Sequence, residues 1–241
     1  MRPDQTLNWM HDGTERLLAQ VAGLPDDALS APTALPGWTR AYLLSHIAAN
    51  ADALRNLVHW ARTGEERRMY ASTQAREADI AAGAKLPAAE LRARMASSAA
   101  DLAADLDALD ALDAEGAAEG GSAWDAKIIT AQGLTRSADE IPWMRTREIY
   151  IHSIDLAAGT TFADLPSDFL AALLDDVTVR RSAKGGGPAL LIAATDTGGR
   201  WDVAGTGSPV PVTGLLADLT AYLTGRPAPS LPAAPVLPPW L

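Results

Sequence analysis

The residues with the most chemistry in this 241-residue chain are Glu148 and His152. They are four apart, so on a helix they stack one above the other. The same face carries Ile141, Met144 and Ile151 and therefore points inward. An unpartnered carboxylate aimed at a core is costly, so Glu148 needs a counterpart. His46 offers one, because it falls within the apolar stripe Leu43, Ile47, Leu54 and Leu57 of another predicted helix. Two nitrogens and one oxygen make the ligand set of a catalytic zinc site whose fourth position is open. Bundle cores commonly carry such sites. Iron(II) uses the same set with more open positions. The competing reading makes His152 a hydrogen-bonded core histidine and pairs Glu148 with Arg145 or Arg147. Spacing alone leaves both open, because such pairs recur on ordinary helices. Asp155 could orient a ligand histidine, but its place near a helix end predicts an exposed side chain.

The remaining candidates are weaker. His59 lies more than two turns beyond His46, too far along the axis to share an ion, and beside Trp60 it reads as packing. His11, one turn into the first helix, has nothing to distinguish it. Gly185 to Gly187 lacks the strand-to-helix setting and lysine of a phosphate loop and reads as a turn. No Ser-His-Asp pattern occurs. The chain has no cysteine, which excludes disulfides, thiolate ligands and a thiol nucleophile of its own. Any thiol chemistry must use a thiol from outside. A net charge of −10 with scattered Lys and Arg argues against nucleic acid. Met1 to Gln5 lack the apolar run of a signal peptide, and no uncharged stretch is long enough to span a bilayer. A soluble, cytoplasmic protein is expected; the sequence does not report its oligomeric state, a monomer being one of the states open to it.

These side chains must be held by a mainly helical frame. Apolar spacing predicts a first helix over about Thr6 to Ala22 and a second capped by Thr39 and stopped at Gly64. A third starts near Pro87 or Ala88 and carries the stripe Leu91, Met95, Leu102, Leu106 and Leu109. Residues 115–121 read as small and flexible, and Lys127 to Gly133 as a short hairpin. The fourth helix has two candidate starts. Ser137 with Glu140 reads as a capping box, but Asp139 as cap leaves Pro142 harmlessly in the first turn. The helix then runs to about Ala158. Beyond it come a helix from about Pro166, strands at 189–194, 200–203 and 210–212, a helix at 215–223, and an irregular proline-rich tail. The expected fold is a four-helix bundle over residues 1–162 followed by a small α+β domain over 163–241.

Several runs have a familiar look: Gly37-Trp38-Thr39-Arg40, His46, His59 to Glu66 through Met69-Tyr70, Thr130-Ala131-Gln132-Gly133, and Trp143 to His152. So do Gly225-Arg226 and the closing Pro-Pro-Trp-Leu. Together they closely resemble the mycothiol-dependent maleylpyruvate isomerases, whose fold is similar to the DinB-like metal-binding bundles. The resemblance implies zinc held by His46, Glu148 and His152, with mycothiol as thiol cosubstrate. It also implies functional roles for Arg76 and Arg226, which on their own read as surface residues at helix ends. The implied reaction turns maleylpyruvate, a dicarboxylate, into fumarylpyruvate by addition and departure of an activated thiolate. With one arginine from each domain, the expected site lies where the domains meet. The alternatives are a mycothiol S-transferase acting on an electrophile and a non-enzymatic metal-binding regulatory module.

Overall fold

A computed structural model describes residues 3–116 and 122–240. The chain folds as two compact units, 1–159 and 160–241. In the first unit α1 (Pro3–Ala22), α2 (Arg40–Thr63), α4 (Ala88–Gly116) and α5 (Glu140–Asp155) form the bundle. α2 packs on α4 and α5, and α1 closes the ring against the other sides of α4 and α5. The apolar stripes read from the sequence meet inside it. Leu43, Ile47, Leu54 and Leu57 of α2 and Leu91, Met95, Leu102, Leu106 and Leu109 of α4 are all buried in one core.

The helix boundaries follow local chemistry. Thr39 Oγ1 accepts from the Tyr42 N–H at 3.2 Å, and Gly64 closes α2 in the left-handed region, with φ 75. Asp139 stands at the start of α5, but its side chain makes no capping bond. Pro142 falls in the first turn, where no intrahelical N–H is needed. The chain turns away at Asp155, earlier than the expected Ala158. α4 runs on to Gly116, two residues into the segment read as flexible; positions 117–121, like Met1, Arg2 and Leu241, lie outside the described residues.

Two features depart from the sequence reading. A short helix, α3 (Thr73–Gly83), packs on α2 where no element is predicted. Ser72 caps it, and only Ile80 and Gly83 are buried, so it has almost no apolar period to detect. A Cβ at Gly83 would run into Ser45 Oγ, which shows how closely α3 lies on α2. The hairpin is present as β1 (Lys127–Ile129) and β2 (Thr135–Ser137), antiparallel, with its turn at residues 130–134.

The second unit holds α6 (Ser167–Lys184), β3 (Pro188–Ala194), β4 (Arg200–Val203), β5 (Thr206–Gly214) and α7 (Leu216–Leu223). The sheet order is β4-β3-β5, with β4 antiparallel and β5 parallel to β3. β5 is longer than the expected 210–212 because Pro209 and Pro211 mask it, yet an edge strand tolerates proline. The chain crosses from β4 to β5 at Ala204-Gly205, where any Cβ on Gly205 would strike the Pro188 backbone. The tail is irregular but held: Arg181 Nη1 donates to the Pro238 carbonyl at 3.1 Å, and Trp240 is buried. Among the described residues, no helix is long and apolar enough to cross a membrane.

Candidate metal centre

The run from Gly37 to Arg40 builds the frame of the site. Gly37 turns the chain at φ 80, and Thr39 starts α2. Trp38 packs edge-on against the His46 ring, with centroids 5.4 Å apart, and limits its rotation. Arg40 reaches the end of α5, giving 2.9 Å to the Leu156 carbonyl and 2.6 Å to that of Ala157. A cation on the final carbonyls of a helix also suits its dipole. The Ala34 N–H meets the Asp155 carbonyl at 2.8 Å, so the loop before α2 covers the α5 terminus.

Against that frame, His46 from α2 faces Glu148 and His152 from α5, and donor atoms of all three lie within 4.8 Å of one another. Glu148 Oε2 is 3.1 Å from His46 Nε2 and 3.2 Å from His152 Nε2. A tetrahedral zinc with bonds of about 2.0–2.1 Å has edges of roughly 3.3 Å, so these spacings suit one ion. The two imidazoles stand at 82° to each other, both edges toward the carboxylate. His152 Nδ1 lies 2.9 Å from Asp155 Oδ2. This leaves Nε2 as the ligating nitrogen and fixes the ring, as carboxylates do for metal-bound histidines. Asp155 is fully buried, which corrects the expectation of an exposed side chain.

Burial opposes charge on Glu148, but the hydrogen bonds and positive charge of His152 and His46 outweigh it and hold the carboxyl well below its usual range. For His46, burial outweighs the pull of Glu148 and lowers the imidazole, leaving it neutral. Burial also disfavours the His152 cation, yet Asp155 and Glu148 on its two sides overcome this and raise it to about 9. A proton on His152 therefore stands where an ion would bind.

Arg145, offered above as a partner for Glu148, turns elsewhere. Its Nη1 gives 2.7 Å to the Ile47 carbonyl and 2.9 Å to Asn50 Oδ1, tying α5 to α2 one residue past His46. Burial pulls this guanidinium down to about 10, against the opposing influence of Glu148 and Asp52.

A cavity of about 220 Å³ opens beside His46 and Glu148, with Tyr70, Arg76, Gln132 and Arg147 in its wall. The hairpin turn supplies Gln132, and α3 supplies Arg76. Arg76 Nη2 is 3.2 Å from His46 Nδ1, so an arginine that reads as a surface residue lies at the group. Arg226 belongs to the second unit, in the turn after α7, where its Nη1 donates to the Thr224 carbonyl at 2.7 Å. His59 is at the rim of the bundle, 3.2 Å from Glu65, and His11 is exposed. Sequence reasoning missed Tyr70 and the buried positions of Asp155 and Arg145. Only Asp155 carried a signal, its spacing of three from His152.

Residues 10–157 match the family described as the mycothiol maleylpyruvate isomerase N-terminal domain. Two solved structures resemble the whole chain. A crystal structure of the mycothiol-dependent maleylpyruvate isomerase is 33% identical, with a TM-score of 0.88, covering 100% of this chain and 98% of that one. A histidine-to-alanine mutant of the mycothiol-dependent maleylpyruvate isomerase matches at the same identity and coverage, with a TM-score of 0.87. No curated protein matches.

Proposed function

This chain belongs to the mycothiol maleylpyruvate isomerase family, and we propose that it carries out the mycothiol-dependent cis–trans isomerisation of maleylpyruvate to fumarylpyruvate. The observation that carries the reading is one cluster of two imidazoles and a carboxylate beside a cavity, in a chain with no cysteine. His46, Glu148 and His152 would hold a divalent metal, zinc by the ligand set. Bound there, the ion supplies the Lewis acidity that keeps a borrowed thiol ionised at neutral pH.

The chain's own residues set up the rest. Arginine can only donate, so its contact with His46 Nδ1 requires that nitrogen to accept, with the ring hydrogen on Nε2 toward Glu148. With a metal held at Nε2 the ring hydrogen would sit on Nδ1, which could not accept from Arg76. Arg76, in the cavity wall, would then serve to grip a substrate carboxylate bidentately. The family resemblance implies a functional role for Arg226, and a dianionic substrate calls for a second cation that this arginine would supply. The thiolate adds to the alkene carbon β to the ketone, and the π pair moves onto the ketone oxygen as an enolate. The former double bond rotates, the pair returns, and the thiolate leaves.

An absorbance assay with maleylpyruvate, with and without mycothiol, tests the reading. Isomerisation only with the thiol is the expected result. Inactivity under both conditions would favour the S-transferase. His152→Ala should abolish turnover and metal binding together; full metal content at wild-type rate would rule the mechanism out.

A further inference from the structure

Tyr70 stands in the wall of the same cavity as His46, Arg76 and Glu148. Neither the metal ligands nor the substrate-gripping arginines account for it. The residue precedes α3, two positions before the cap Ser72, and is half-buried. The Arg76 guanidinium carbon lies 5.6 Å from the centroid of the Tyr70 ring. A guanidinium has no lone pair to offer, so Arg76 cannot take the phenol hydrogen. That hydrogen is left for a group that enters the cavity. Burial, opposed by Arg76, raises the phenol above its ordinary value, so the O–H stays intact at neutral pH.

The proposed reaction develops negative charge on a ketone oxygen in this cavity, close to the Glu148 carboxylate. That charge calls for a pre-placed donor. Arg76 engaged bidentately with a carboxylate has its two parallel N–H groups occupied. Gln132 is exposed on the hairpin turn, where water competes for its amide. Arg147, also in the wall, lies over the Trp143 ring, and Tyr70 is a half-buried neutral donor adjoining Arg76.

We propose that Tyr70 is a catalytic residue, donating its hydroxyl hydrogen to the enolate oxygen formed when the thiolate adds to the double bond. Tyr70 keeps its proton throughout. A C–S bond forms as the alkene π pair shifts to oxygen. After rotation that pair re-forms the alkene, the C–S bond breaks, and the thiolate departs with its electrons. No net proton is moved. This role rests on the isomerase reading given above.

The test compares wild type with Tyr70→Phe, which keeps the ring and removes only the hydroxyl, in the metal-loaded enzyme with mycothiol and maleylpyruvate. The expected result is a kcat lowered about 100-fold, with metal content and both KM values near wild type. A kcat within twofold of an active wild type overturns the role of Tyr70 and leaves the isomerase reading standing. So does a loss confined to KM or tracking lost metal. A wild type inactive toward maleylpyruvate overturns both. Should Tyr70→Phe fail to fold, fluorinated tyrosine at the same position tests the same point. Changed donor strength must then alter kcat with KM constant, and an unchanged kcat overturns the proposal.

Discussion

Replacing Asp155 with Asn probes how the site is held, because the change keeps the shape of the side chain and removes its charge. Asp155 is fully buried and receives the His152 Nδ1–H at 2.9 Å. A hydrogen bond to a charged group contributes about 1.5–3 kcal/mol and a neutral one about 0.5–1.5 kcal/mol, so the exchange costs roughly 1–1.5 kcal/mol. Once His152 is deprotonated, that predicts zinc affinity about tenfold weaker, at the lower end of the 10- to 100-fold range for such partners. Proton competition acts in the other direction. Asp155 is the leading partner that raises His152 to about 9, so below that pH zinc must displace a proton from the wild type. Wild-type affinity should therefore climb about tenfold per pH unit from pH 7 toward 9 and then flatten. In Asp155→Asn the break moves to lower pH, so the curves separate most above pH 9 and converge toward pH 7. Competition with a chromophoric zinc chelator across pH 6.5–10 reads both effects. Parallel curves, or equal affinity above pH 9, would refute the role given to Asp155.

Two further predictions concern the frame and the second unit. Thr39→Ala removes the cap that starts the His46-bearing helix and should cost about 1 kcal/mol in urea unfolding. Unchanged stability would mean the cap bond has no net worth. Arg226→Ala should lower kcat/KM for maleylpyruvate roughly 10- to 100-fold, the loss of a charge-assisted contact, with metal content unchanged. Metal loss instead would make this arginine structural.

The bundle was legible because its chemistry repeats along each helix. Leu91, Met95, Leu102, Leu106 and Leu109 recur at helical spacing and all end in the core. His46 announced itself by interrupting such a stripe. α3 was not legible, since a helix that buries little beyond Ile80 leaves no period to read. β5 was obscured by prolines that an edge strand tolerates. Asp155 was misjudged for a tertiary reason. A helix end is usually exposed, but Arg40 and the loop residue Ala34 fold over this one. Arg76 needed the family resemblance, because its approach to His46 depends on the unpredicted helix. Tyr70 gained meaning only from the cavity it lines and the Arg76 guanidinium over its ring.

The central claim is that His46, Glu148 and His152 hold a metal with one position open to a thiol. Anomalous diffraction at the zinc edge from metal-loaded crystals soaked with mycothiol tests it most directly. The account predicts one peak bounded by His46 Nε2, a Glu148 oxygen and His152 Nε2 at about 2.0–2.2 Å, with the mycothiol sulfur as fourth ligand at about 2.3 Å. A peak elsewhere, or a fourth position closed by a protein side chain, would contradict it.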